Sequence, residues 1–250
     1  AAKQGGLFGQ TTGVTLPSIS HGDGVRLWDS DGREYFDSTS GAIAVISVGH
    51  GRTEVIDAMS EQARKVSYVQ GGGRFRNEVA EELAAELARF TPGDVNRAMF
   101  VSGGSEANET AIKLARAYQL AKGRTDRFQV LSRGRSYHGN TLGALSLSGY
   151  VARRTDYQPL LLWEPEVAPQ NCYRCPFGLT FPSCNLACAD DLERAIERVG
   201  PDRVSAFIAE PIVAAAGAAT TPPPGYFERV REICDMHDIL FIVDEVVTGM

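Results

Sequence analysis

The side chains with the clearest chemical capacity stand directly after short apolar runs. Glu210 follows residues 206–209, and Asp244 with Glu245 follows residues 240–243. An acid at the end of an apolar strand is costly to desolvate, so it needs a partner or a ligand. A heteroaromatic nitrogen kept protonated is one such ligand, because a neighbouring carboxylate raises its pKa. A helix cap or a surface ion pair is the other use open to Asp244. After Met99-Phe100-Val101 comes Ser102-Gly103-Gly104-Ser105-Glu106-Ala107-Asn108-Glu109. Two glycines there let the backbone approach a ligand closely, and the free N–H groups of a following helix favour an anion, with the Ser105 hydroxyl as a further donor. The same run reads equally as a glycine turn with Ser105 capping a core helix. After residues 128–131 comes Ser136-Tyr137-His138-Gly139, where a flat cofactor could stack on either ring. A packed tyrosine beside a solvated histidine would fill the same positions.

Apolar runs at 98–101, 128–131, 206–209 and 240–243 alternate with helical periodicity over 106–122, 192–199 and 226–237. In the first of these helices Ala107, Ala111, Leu114, Ala115, Tyr118 and Ala121 mark the apolar face, and Gly123 stops it. Alternation of this kind predicts an α/β fold, a mostly parallel sheet covered by helices on both faces. Ligands then bind beyond the carboxyl ends of the strands, where the residues above are found. Upstream, Asp31-Gly32 between two alternating runs over 25–37 predicts a hairpin. Val55, Ile56, Met59 and Ala63, then Val79, Leu83 and Leu87, recur at helical spacing and predict two amphipathic helices.

Bulk properties narrow the partners. A 250-residue chain with 43% hydrophobic residues can bury a core. Its formal charge of -6 and pI near 5.3 give no basic surface for nucleic acid or anionic lipid. The longest apolar stretches, 160–163 and 240–243, are too short to cross a bilayer, and Ala1-Ala2-Lys3-Gln4 opens no signal-peptide core. The expectation is a cytoplasmic protein with neither nucleic acid nor membrane as partner. Cys172-x-x-Cys175 and Cys184-x-x-x-Cys188 approach the spacing of a zinc ligand set. A structural metal, disulfides and packed free thiols all remain open, and a cytosolic setting opposes disulfides.

Taken in order, Ser102–Glu109, Tyr137-His138-Gly139, Ala209-Glu210-Pro211 and 244–249 (Asp-Glu-Val-Val-Thr-Gly) resemble the class III, or omega, aminotransferases over about Gly24 to Met250. The resemblance implies the type I fold of pyridoxal-phosphate enzymes, with an N-terminal segment containing the hairpin over 1–50 and a cofactor-binding large domain over 51–250. It implies pyridoxal 5'-phosphate as cofactor, with Gly104 and Ser105 on its phosphate, Tyr137 stacked on the ring, Asp244 on the ring nitrogen and Val246 on the other face. His138 and Glu210, at the same strand ends, join the cofactor-binding set, and Asp244 is the catalytic residue. The implied reaction moves an amino group from an amine or omega-amino acid to a 2-oxo acid such as pyruvate, in a homodimer or higher oligomer whose site receives a phosphate contact from the partner. An aminomutase, epimerase or lyase would keep the same motifs, and so would a non-enzymatic cofactor-binding fragment.

Three features depart from the family pattern. Gly51-Arg52-Thr53 stands where a histidine-proline pair is common, which alters the entry to the helix that follows. Val247 replaces the glutamine usual in enzymes acting on 4-aminobutyrate or ornithine, which favours the amine:pyruvate and beta-alanine:pyruvate branch. The cofactor-carrying lysine of the family lies beyond the Asp244 motif, and Lys3, Lys65, Lys113 and Lys122 do not match it. The large domain is therefore expected to be incomplete at its C-terminus, with unpaired sheet edges that favour association.

Overall fold

A computed structural model describes residues 16–69, 73–163 and 165–249. The chain divides into two compact units, Ala1–Arg97 and Ala98–Met250.

The first unit contains an antiparallel meander of β1 (Ile19–Asp23), β2 (Arg26–Asp29) and β3 (Glu34–Phe36). The expected hairpin is β2–β3, with Trp28 opposite Glu34 and Gly32 at φ 80°. Buried Asp29 holds the turn by accepting from the N–H groups of Asp31 and Arg33 and from the Tyr35 hydroxyl at 2.7 Å. Strand β1 carries no alternating pattern in Ile-Ser-His-Gly-Asp, and its pairing with β2 gives it its shape. The two expected helices form as α1 (Thr53–Lys65) and α2 (Glu78–Phe90). Arg52 precedes α1 without a capping side chain, whereas the Asn77 carbonyl caps α2 by accepting from Ala80 N at 3.2 Å. Val55, Ile56, Met59, Val79 and Leu83 all remain exposed.

The second unit is built on a parallel sheet of β4 (Gln129–Leu131), β5 (Val204–Ala209) and β6 (Leu240–Val243), in the order β4-β5-β6. Every residue of the central strand is buried, and alternate side chains serve two cores. Phe207 and Ala209 pack with α6 (Ala187–Val199) and α7 (Tyr226–Met236). Ala206 and Ile208 pack with Ala115 of α3 (Gly104–Ala121) and Leu147 of α4 (Leu142–Leu147). A short α5 (Val151–Arg154) follows α4. Helices on both faces explain the near-continuous apolar character of β5. On α6, Leu192 and Ile196 are fully buried. Truncation of Leu192 to Ala is expected to cost about 2–5 kcal/mol by opening a cavity between α6, α7 and β5, read as a lower midpoint in urea unfolding with an unchanged slope.

One expected strand is not formed. Residues 98–101 pair with no strand among the described residues, and Met99, Phe100 and Val101 are 74%, 48% and 41% exposed. An apolar run becomes a strand only where a neighbour takes its backbone hydrogen bonds, and the described sheet provides none on that side.

Candidate active site

The carboxyl ends of β5 and β6, the N-terminus of α3 and the loop after β4 bring the sequence-predicted residues together. Asp244 directly follows β6, and its backbone N–H donates to Ala209 O at 2.9 Å, so the two acid-bearing strand exits lie side by side. Its side chain is 4% exposed and has three donors. His138 Nδ1 lies 2.7 Å from Oδ2, Asn108 Nδ2 donates to the same oxygen at 2.9 Å, and Val246 N donates to Oδ1 at 3.2 Å. Against a carboxylate, Nδ1 is the protonated nitrogen of the imidazole. Burial alone would raise the Asp244 pKa, but the His138 hydrogen bond and charge, with the Asn108 and Val246 donors, outweigh it and hold the carboxyl below the ordinary value. The acid is thus kept ionised, and among the described residues one lone pair of Oδ1 is uncommitted.

Helix α3 begins at Gly104, and among the described residues no side chain caps it. Ser105 is therefore not the cap that the plainer reading of the sequence allows. Its hydroxyl donates to Asn140 Oδ1 at 3.2 Å and accepts from Asn140 N at 3.1 Å. Glu106 instead reaches back to accept from Ser102 N at 2.8 Å, which pins the turn, and the first-turn N–H groups of α3 have no side-chain acceptor among the described residues. Gly104 is in close contact with the turn after β6, since a Cβ there would stand 2.8 Å from Val246 Cγ2. Gly139, at φ 132°, faces Ser105 so closely that a Cβ would meet its Oγ at 2.5 Å.

Glu109 ties the same helix to α4. Its Oε1 accepts from Thr141 Oγ1 at 2.7 Å and from Gly143 N at 2.9 Å, which satisfies donors at the start of α4 from a neighbouring helix.

Tyr137 and His138 take different places. Tyr137 is half-buried, with the Arg153 guanidinium over its ring, 5.3 Å from the centroid. His138 is fully buried as the partner of Asp244, and its Nε2 has no hydrogen bond among the described residues, so it offers no stacking face. Glu210 is 5% exposed and accepts from Tyr137 N at 3.1 Å, while fully buried Arg133 donates to the Glu210 carbonyl at 2.6 Å. Burial pushes the Glu210 carboxyl up to about 7, the Tyr137 N–H and Arg133 oppose the rise, and the Asp244 charge adds to it.

The Glu210 shift has a testable sign. Between the ordinary value of 4.5 and about 7 the folded protein holds a proton that the unfolded chain has released, so stability falls as pH rises through that window. The full span amounts to about 3 kcal/mol. Glu210→Gln keeps an acceptor for Tyr137 N but does not titrate, and its stability minus that of the wild type should increase from pH 4.5 to pH 7. A flat difference across that range would place the Glu210 carboxyl at its ordinary value.

Several of these residues carry no sequence signal for the site. Asn140 and Arg153 are polar residues without a motif of their own, and Asn108 lies inside the Ser102–Glu109 run, which assigns it no role; Asn108 and Asn140 meet partners 30 to 136 positions away. Away from the strand exits, Cys172, Cys175, Cys184 and Cys188 line one small cavity with Phe177 and Phe181. All four are free thiols, and burial pushes Cys188 up to about 11. Among the described residues no group of three His, Cys, Asp or Glu side chains is arranged to hold a metal, and no helix is long and apolar enough to cross a membrane.

Comparison with known proteins adds to this geometry. The family model described as Aminotransferase class-III matches residues 8–250. The chain is 45% identical over 234 residues to the aminotransferase YodT of Bacillus subtilis (strain 168), covering 94% of this chain and 52% of that protein. It is 37% identical over 229 residues to the taurine–pyruvate aminotransferase of Bilophila wadsworthia, covering 92% and 49%. Among solved structures, an amine transaminase from an uncultivated Pseudomonas species in its PLP-bound form superimposes with a TM-score of 0.88 at 33% identity, over 99% of this chain and 57% of that one. The chain thus spans about half the length of the relatives it matches.

Proposed function

Because the chain belongs to the class III aminotransferases, we propose that it forms the cofactor-binding part of an enzyme that transfers an amino group from an amine or omega-amino acid to a 2-oxo acid such as pyruvate. Pyridoxal 5'-phosphate is the cofactor, and residues 51–250 belong to the domain that binds it, preceded by a segment over 1–50 with the hairpin. The observation that carries this reading is the buried, ionised Asp244 with a free lone pair, beside an uncapped helix N-terminus at Gly104 and Ser105. One end of such a site suits a protonated ring nitrogen and the other a phosphate.

In this assignment Gly104 and Ser105 bind the phosphate, with the close approach that Gly104 permits. Tyr137 orients one face of the ring, and Val246, which touches the Gly104 position, bounds the other. Asp244 holds the proton on the ring nitrogen, His138 holds Asp244, and Glu210 fixes the backbone of Tyr137. The bound cofactor supplies an electron sink for the pair released when a bond at the amine-bearing carbon breaks. The amine:pyruvate branch is favoured by Val247, and the taurine–pyruvate relative is consistent with it. The protein acts as a cytoplasmic homodimer or higher oligomer, which the exposed apolar residues of α1 and α2 support.

The test is product analysis with the intact protein, pyridoxal phosphate, an amine donor and pyruvate. Alanine formed in step with donor consumed supports the assignment. Donor consumed without amination of the 2-oxo acid would overturn it in favour of a lyase, and donor rearranged with pyruvate untouched would point to a mutase.

A further inference from the structure

We propose that Asn108 is a positioning residue for the cofactor site, fixing Asp244 in place and making α3 the element that sets the span between the phosphate end and the ring-nitrogen end. This rests on the cofactor assignment above and adds to it a residue that makes no direct contact with the cofactor.

Asn108 is 6% exposed and lies one turn after Ser105 on α3. Both protons of its Nδ2 are used, one toward His138 O at 2.7 Å and one toward Asp244 Oδ2 at 2.9 Å. A flipped amide would turn its oxygen toward two acceptors, so the orientation is determined by the partners. His138 Nδ1 donates to the same Oδ2, so this oxygen carries two donors and cannot rotate toward the site without losing both. Among the described residues Oδ1 has only Val246 N at 3.2 Å, which leaves a lone pair for an outside donor. Asn108 therefore decides which carboxylate oxygen serves a ligand and keeps that oxygen oriented. It also restrains the backbone of His138, whose imidazole is the second donor.

Ser105 and Asn108 are three residues apart on one helix, a rise of about 4.5 Å along the axis. One rigid element thus carries a donor at the anion end and the support of the acid at the other end. A helix is stiff on this length scale, so the separation of the two subsites is set by α3 and not by the loops that bring in Tyr137 and Glu210.

The test compares two probes in the intact protein, pyridoxamine 5'-phosphate and its 1-deaza analogue, in which carbon replaces the ring nitrogen. Asn108→Ala removes both donors, and Asn108→Ser retains one hydroxyl. If Asn108 acts through Asp244, Asn108→Ala should weaken pyridoxamine phosphate about tenfold or more, the usual weight of a hydrogen bond to a charged group. The deaza analogue should lose less than about twofold, and Asn108→Ser should fall between wild type and Asn108→Ala. Equal losses for both probes would make Asn108 a general packing residue and overturn the proposal, as would unchanged affinity for pyridoxamine phosphate in both variants. A wild-type protein that binds neither probe would instead refute the cofactor assignment, and the role of Asn108 would fall with it.

Discussion

In the enzyme proposed above, of which this chain forms the cofactor-binding part, Asp244→Asn is expected to lower kcat by on the order of a hundredfold or more, with a much smaller change in KM. The direction follows from the donors around the carboxylate. His138 Nδ1 and Asn108 Nδ2 both point at Oδ2, so in the variant that position must hold the amide oxygen. The amide NH2 then takes the place of Oδ1, where the site needs an acceptor, and it also faces the N–H of Val246. A donor there favours the unprotonated ring nitrogen, which weakens the electron sink in the transition state more than it weakens ground-state binding. Cofactor affinity should fall as well, because a charge-assisted bond is replaced by a weaker neutral hydrogen bond to the unprotonated ring nitrogen. Steady-state kinetics at saturating cofactor separate the two effects. Unchanged kcat would remove Asp244 from the catalytic role.

Substitution of Gly139 by Ala should damage the opposite end of the site. At φ 132° an L side chain is strained whatever space surrounds it. Here space is also lacking, because the new methyl would stand 2.5 Å from Ser105 Oγ and 3.0 Å from Ala144 Cβ. Ser105 must move, and with it the hydrogen bond from Asn140 N. Overpacking of this kind costs about 1–3 kcal/mol, with backbone strain of similar size. Gly178 provides the control, since it also has positive φ, 67°, but a Cβ there would meet no atom of the described residues within 4 Å. Gly139→Ala should weaken pyridoxal phosphate by about tenfold or more, while unphosphorylated pyridoxal, which has nothing to gain from Ser105, should change little. Gly178→Ala should leave both affinities near wild type. Equal losses of the two ligands in Gly139→Ala would show that the lesion is not at the phosphate end.

Much of this architecture is legible in the sequence because it follows local rules. The runs at 128–131, 206–209 and 240–243 are apolar except for Gln129, as parallel strands covered on both faces tend to be, and each is a strand within a residue or two. The acids after two of them, Glu210 and Asp244, stand out for the same reason, as charged groups where desolvation is expensive. The inner face of α3 is not legible. Its apolar stripe includes Leu114 and Tyr118, which are 66% and 37% exposed, whereas the buried positions are Asn108, Ala115 and Gln119. Two of those three are polar because they serve other segments, Asn108 at Asp244 and Gln119 at Ser205 O. A periodicity argument ranks residues by hydrophobicity and cannot register a buried amide whose partners lie far along the chain. The strand expected at 98–101 fails for a related reason, since pairing depends on a neighbour that local sequence does not specify.

The bond between Asn108 and Asp244 joins residues 136 positions apart, and that separation has a kinetic meaning. Helix α3 can form early from local contacts, but the acid reaches it only after β4, β5 and β6 have aligned across the intervening chain. The site is thus among the last parts of this unit to assemble, and an unfolded or half-folded chain has nothing comparable to present to a ligand. Any molecule that engages the N-terminus of α3 and Asp244 at once therefore reports on completed folding. It also draws the equilibrium toward the native state in proportion to its concentration over its dissociation constant.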